Sequence, residues 1–258
     1  MGTTMDILAL DFDGVICDSV GEVAVAAWRG AALLWPDRFR GDAPVEIVQR
    51  FRRVRPVMET GYESILLVRL LRDGCSIDKI LDDAPCLLSD LMRKESLSKD
   101  QLVHLLGKER DAWIDHDLQG WLDMHDFYDG VVEAVNRTDL KVYIITTKEK
   151  RFALSLCRAV DLQIPEKRIF GLESGKKKDV LATLSRRYDT ACFHFVEDRL
   201  ETLIQMRGGV EFDLRLYLAA WGYNTVDACD KAEKMSKITV LTQDQFPDFV
   251  RMPSNFAT

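Results

Sequence analysis

The chain has 258 residues, 47% hydrophobic and 30% charged, proportions that suit a folded protein able to bury a core without disulfides or a structural metal. With 35 lysines and arginines against 42 aspartates and glutamates the net charge is −7, a field that repels phosphodiester backbones and argues against nucleic acid as the main partner. Disorder and membrane spanning are excluded as well, since no stretch approaches about 18 consecutive apolar residues.

The first predicted element is the apolar run Ile7-Leu8-Ala9-Leu10, which leads into Asp11-Phe12-Asp13-Gly14-Val15. A short continuous run of this kind suits a strand buried on both faces of a parallel sheet. Two carboxylates at i and i+2 of an extended chain point the same way. Facing a cleft they repel, and a divalent cation relieves that repulsion while leaving one carboxylate beside an electrophile. Gly14 allows a sharp turn out of the strand.

From Asp18 to Tyr128 no strand pattern occurs. Helical spacing runs instead over 22–34, 44–54, 57–71, 77–93 and 99–114, and Ser98 with Gln101 predicts a capping box for the last of these. Trp28, Leu66, Leu105 and Trp113 supply apolar faces for a helical bundle. Arg52-Arg53-Val54-Arg55-Pro56 is a polar interruption between two apolar stretches. On a helix Arg52 and Arg55 share a face and can reach one anionic group.

Strand and helix then alternate. Strand patterns lie at 142–145, 193–196, 214–218 and, more weakly, 238–241, with helical patterns over 151–160, 178–188, 200–206 and 226–235. The alternation predicts an α/β fold, a doubly wound parallel sheet whose chemistry gathers at the carboxyl ends of the strands. Residues 1–17 and 129–258 form that core, and 18–128 an inserted α-helical domain.

Further signals sit at predicted strand ends: Thr146 closing Ile144-Ile145, and Glu197-Asp198 closing Phe195-Val196. Ionised carboxylates at the end of an apolar strand must be paired or metal-bound. Ahead of a helix lies Gly175-Lys176-Lys177-Lys178-Asp179-Val180-Leu181. The six cysteines, at 17, 75, 86, 157, 192 and 229, show no CxxC and no zinc-like spacing, and most lie in apolar stretches, as free thiols of a reducing compartment do. His104, His116, His125 and His194 show no metal spacing and read as structural, and Trp221-Gly222-Tyr223-Asn224, after the fourth core strand, reads as a packed turn or as a segment lining the cleft. Residues 1–6 lack the basic region and apolar run of a signal peptide, so a cytoplasmic location is expected. No glycine-rich nucleotide loop occurs, and ATP use is not indicated.

In this order, Asp11-x-Asp13-Gly14, Thr146, the lysine cluster and Glu197-Asp198 make the chain resemble the haloacid dehalogenase superfamily, chiefly phosphatases and phosphotransferases. Its phosphoglycolate phosphatase and β-phosphoglucomutase-like branch is the nearest in pattern. The resemblance implies a Rossmann-like core with the helical insertion as a cap that closes over small metabolites. It implies a Mg2+-dependent phosphatase acting on a small phosphorylated metabolite, with no membrane or obligate protein partner. Asp11 would be the nucleophile forming an aspartyl-phosphate, and Asp13 the general acid and base, a residue that the family's dehalogenases lack. Thr146 and Lys177 would hold phosphoryl oxygens, with Lys176 and Lys178 as rivals. The metal would lie among Asp11, Asp13, Glu197 and Asp198. Arg52 and Arg55 would belong to a specificity loop in the cap. The sequence departs from the family pattern in Arg199 after the acidic pair and in Thr202 where a further acid often stands, leaving Glu201 as a substitute. A phosphomutase, and a non-catalytic binding protein on the same fold, are the alternatives.

Overall fold

In the computed structural model, which describes residues 5–208 and 210–256, Ile7 to Leu10 are fully buried in β1 (Met5–Leu10). The main sheet adds β4 (Lys141–Ile145), β5 (Ile169–Phe170), β6 (Ala191–Glu197), β7 (Leu214–Ala219) and β8 (Ile238–Leu241). Two more short strands, β2 (Cys17–Asp18) and β3 (Asp126–Phe127), pair with each other. The main sheet runs β5-β4-β1-β6-β7-β8, and its pairings are all parallel. The order reverses at β1, with β4 on one side and β6 on the other, so a crevice opens past the carboxyl ends of β1 and β6. All seven residues of β6 are buried, including His194 and Glu197.

Helices α1 (Val20–Leu34), α2 (Val45–Val54), α3 (Glu63–Arg72), α4 (Ile77–Lys94) and α5 (Lys99–Leu122) lie in the long segment between β2 and β3. The connections of the sheet carry α6 (Val131–Arg137), α7 (Lys150–Ala159), α8 (Lys177–Ser185), α9 (Leu200–Met206) and α10 (Val226–Glu233), with α11 (Phe246–Phe249) after β8. Two compact units result, Ser19–Asp126 and the remainder on either side of it. Among the described residues no helix is long and apolar enough to cross a membrane.

Several boundaries differ from the expected ones for local reasons. β5 is a two-residue strand, too short to leave a pattern. The helix expected from 57 starts at Glu63, after a 3-10 turn at Arg55–Val57. There the Glu63 carboxylate accepts hydrogen bonds from the backbone N–H of Glu59 at 2.6 Å and of Thr60 at 2.9 Å. The helix expected to end at 114 runs on to Leu122 through a break at Asp117, whose carboxylate caps the last turn by accepting from Gly120 N at 2.8 Å. The capping box of Ser98 and Gln101 forms at the start of that helix.

In the helical unit the core closes around a buried charge. Glu22 of α1 is fully buried and accepts two hydrogen bonds from Arg110 of α5, at 2.7 and 2.9 Å, and one from the Trp121 indole at 3.2 Å. Removing one partner of such a pair strands the other charge out of water, at about 3–5 kcal/mol. Arg110→Ala is therefore expected to destabilise the protein by about that much in denaturant unfolding, whereas Arg93→Ala, which breaks an exposed pair with Asp90, should stay within about 0.5 kcal/mol of wild type.

Candidate active site

Asp11 follows directly on β1, and its backbone N–H still donates to Val196 O of β6 at 2.9 Å. Glu197 ends β6 and Asp198 follows it. Strand pairing thus delivers three carboxyl groups to one place, and their oxygens come within 4.8 Å of one another. Asp11, Glu197 and Asp198 are 6%, 1% and 4% exposed.

One ammonium compensates them. Lys177, at the first turn of α8, places Nζ 2.7 Å from Asp11 Oδ2 and 2.6 Å from Glu197 Oε2. Of its neighbours, Lys176 is exposed, and Lys178 donates to Gly208 O at 2.8 Å. Backbone amides hold the other oxygens: Phe12 N donates to Asp11 Oδ1 at 2.8 Å, Arg199 N to Glu197 Oε1 at 3.2 Å and Tyr223 N to Asp198 Oδ2 at 2.8 Å. Burial pushes the Asp11 carboxyl up to about 7, against the opposing pull of Lys177. Glu197 rises to about 6 for the same reason. Burial works against the Lys177 charge, but Asp11 and Glu197 outweigh it and hold the ammonium above its ordinary value.

Burial raises both Asp11 and Glu197 despite the Lys177 ammonium, so further positive charge is favoured in this cluster. All of its donor atoms are hard oxygens, which fits Mg2+. The Asp13 carboxylate does not join it. It instead meets Lys148, with Nζ 3.2 Å from Asp13 Oδ1. The expected set of four metal-binding side chains is thus brought together as three, because Asp13 lies in the turn that leaves β1 and faces the loop after β4. Gly14 in that turn has φ +85°, and a Cβ there would run into the Asp198 carboxylate.

Thr146 follows β4, is buried, and its N–H donates to Phe170 O at 2.9 Å. Its hydroxyl oxygen accepts from Lys148 N at 3.1 Å, which leaves the hydroxyl proton able to point at an anion. Lys148 itself is 5% exposed and was not singled out from the sequence, although it closes the segment Thr146-Thr147-Lys148. The stretch expected to be a packed turn or to line the cleft serves the site. Tyr223 N holds Asp198, the Tyr223 hydroxyl donates to Asp18 at 2.9 Å, and Trp221 Nε1 donates to Val15 O at 3.0 Å. A Cβ at Gly222 would collide with Asp198 and with the Gly14 carbonyl.

Other expected residues lie elsewhere. Glu201 has a side chain 57% exposed and sits 4.0 Å from Arg199, outside the carboxylate cluster. Arg52 is exposed on α2, whereas Arg55 is 8% exposed, begins the 3-10 turn after that helix and donates to Met58 O at 3.3 Å. The two do not present one solvent-facing pair, since Arg55 is buried while Arg52 is exposed.

Set beside known proteins, this is the fold of the haloacid dehalogenase-like hydrolases. No protein-family model and no curated protein matches the sequence. Solved structures do match over nearly the whole chain. A predicted phosphatase from Clostridium acetobutylicum is 12% identical with a TM-score of 0.59, covering 96% of this chain and 99% of that one. A predicted phosphoglycolate phosphatase from Haemophilus somnus is 12% identical with a TM-score of 0.58, covering 97% and 98%. A haloacid dehalogenase-like hydrolase from Streptococcus pneumoniae is 14% identical with a TM-score of 0.55, covering 93% and 94%.

The raised carboxyl groups set a pH dependence. A carboxyl whose folded pKa lies above its unfolded value stabilises the fold when protonated and loses that contribution as pH rises through the folded value. Asp11 and Glu197, with ordinary values of 3.8 and 4.5 and folded values of about 7 and about 6, therefore oppose folding progressively as pH rises across that window. Lys177 is protonated in both states there and adds no slope. In chelator, melting temperature should fall more steeply between about pH 4.5 and 6, the window of the Glu197 shift, for wild type than for Glu197→Gln. Mg2+ should flatten the wild-type curve. Equal slopes for the two proteins in chelator would refute the assignment.

Proposed function

We propose that the protein is a Mg2+-dependent phosphatase that removes the phosphoryl group of a small phosphorylated metabolite through an aspartyl-phosphate on Asp11. The observation that carries this reading is the Lys177 ammonium bridging Asp11 and Glu197, with Asp198 beside them, at the switch point of the sheet. In the proposed reaction an Asp11 carboxylate oxygen bonds to phosphorus as the ester P–O bond breaks. Asp13 gives its proton to the leaving oxygen, then takes one from the water that cleaves the aspartyl-phosphate. Lys148 holds Asp13 in place for both transfers. The Thr146 hydroxyl and Lys177 donate to phosphoryl oxygens, where charge accumulates in the transition state. Bound Mg2+ would be held by Asp11, Glu197 and Asp198 and would neutralise phosphoryl charge.

The net charge of −7 favours a small substrate over nucleic acid, and the phosphoglycolate phosphatase among the similar structures makes a small phosphorylated acid the first compound to try. A cytoplasmic location is part of the same proposal. Glu197 and Asp198 entering the cluster together supports a phosphomutase as the second reading, because that acidic pair is the form seen in the β-phosphoglucomutase-like branch.

Purified protein should hydrolyse an aryl phosphate with Mg2+ and lose the activity in EDTA. Asp11→Asn should fall to background, and Asp13→Asn should lose about 10²–10⁴-fold in kcat. Wild-type turnover by Asp11→Asn would exclude the nucleophile. For a sugar phosphate, release of inorganic phosphate in step with substrate loss marks the phosphatase, whereas an isomerised sugar phosphate that needs bisphosphate priming marks the mutase.

A further inference from the structure

The opposite end of the same two strands carries a second cluster. Asp6 of β1 pairs in register with Cys192 of β6, and Leu8 with His194. Cys192 and His194, two apart, point to the same face of the sheet. A carboxylate oxygen of Asp6, the Cys192 sulfur and a ring nitrogen of His194 all lie within 4.8 Å of one another. We propose that Asp6, Cys192 and His194 form a site for a borderline-soft divalent cation, Zn2+ in particular, separate from the carboxylate cluster at Asp11. Five residues of extended chain part Asp6 from Asp11, about 16 Å at the rise of a strand, so the two sites share no ligand.

The donor set decides the metal. A thiolate, an imidazole and one carboxylate suit zinc with a fourth position left to water, whereas Mg2+ takes oxygen donors. His194 Nε2 lies 2.9 Å from Asp6 Oδ1, and Nδ1 lies 3.0 Å from the Tyr217 hydroxyl. Without metal, Nε2–H donates to Asp6, and the Tyr217 proton can satisfy either Nδ1 or Pro253 O, which is 3.4 Å away. With metal on Nε2, the ring proton moves to Nδ1 and donates to Tyr217, whose own proton is then released to Pro253 O. Every group in the chain is satisfied, and Tyr217 becomes the outer partner that fixes the tautomer of a metal-binding histidine. The thiol gives up its proton as the sulfur–metal bond forms, so one proton leaves per cation bound and no redox change occurs.

The surroundings agree with this assignment. Burial lowers the His194 pKa, keeping the ring neutral, as ligation requires. Burial, reinforced by the neighbouring Asp213 carboxylate, pushes the Cys192 thiol up to about 12, so a cation must displace a firmly held proton. Asp6 is the part-exposed member, with a side chain 25% exposed. The Ser254 hydroxyl donates to Asp6 Oδ2 at 3.2 Å, so a cation here would tie β1 and β6 to the chain terminus through both Ser254 and Tyr217.

The test uses the full chain, stripped with chelator and titrated with Zn2+ against a chromophoric competitor, then with Co2+ by absorption spectroscopy. One Zn2+ per chain, a thiolate-to-cobalt charge-transfer band and a zinc-dependent rise in melting temperature are expected. Cys192→Ser should lose the band. Tyr217→Phe should keep it and bind zinc about 10–100-fold more weakly. Cys86→Ser, at an exposed thiol, should match wild type, and the thiolate-to-cobalt band, which carboxylate oxygens cannot give, reads this site alone, so failure of the phosphatase reading leaves this outcome unaffected. If Cys192→Ser does not fold, Asp6→Asn replaces it, with at least tenfold weaker binding (roughly the loss of one ligand contact) expected. Equal zinc binding by wild type and the variant at position 192 or 6, or a wild type that binds none, would overturn the proposal.

Discussion

Three carboxylates and one ammonium are withdrawn from water together where β1 and β6 end, and the rest of the sheet-bearing unit is arranged around keeping them there. Ions taken out of water lose several kcal/mol of solvation each unless near neighbours replace it. Lys177 supplies the charge, and amides of Phe12, Arg199 and Tyr223 supply hydrogen bonds. These partners come from four separate stretches of chain. The sheet order is what gathers them, since β1 and β6 are adjacent in space although far apart in sequence. The same crowding explains two glycines, because Asp198 occupies the space that a side chain at Gly14 or Gly222 would need.

Charge balance then limits what the cluster can do. Burial raises Asp11 and Glu197 even with Lys177 between them. In the proposed reading a hard cation offsets that charge, so that a carboxylate can be ionised beside a phosphate. Asp13 is paired with Lys148, yet its charge still contributes to raising Asp11.

What was legible in the sequence followed from how locally it is encoded. The run before Asp11 and the run before Glu197 carry both a strand pattern and a chemical group, so element and function could be read from one segment. β5 left no trace, because two residues make no period. The start of α3 depends on a Glu63 carboxylate folding back on Glu59 and Thr60, and the last turns of α5 depend on Asp117. Such side-chain contacts with the backbone are hidden in a hydrophobic pattern. Lys148 stood beside Thr146 in plain view, but its value lies in a meeting with Asp13 that only the loop after β4 creates. Tyr223 contributes to Asp198 through its backbone N–H, which every residue but proline has, so its identity gave no hint.

The two ends of the β1–β6 pair illustrate how a parallel sheet sorts chemistry. At the carboxyl end the chain leaves the strands in turns, so oxygen-bearing side chains and backbone amides converge on one another. At the amino end Asp6, Cys192 and His194 remain within strands, fixed by register and backed by Tyr217. Ligands held so rigidly suit a resident cation with definite geometry better than an exchanging substrate. Their absence from any sequence motif has the same origin. Cys192 and His194 are two apart because one strand face repeats every second residue, a spacing shared by countless buried pairs, and only the neighbouring strand brings the third donor from the far end of the chain.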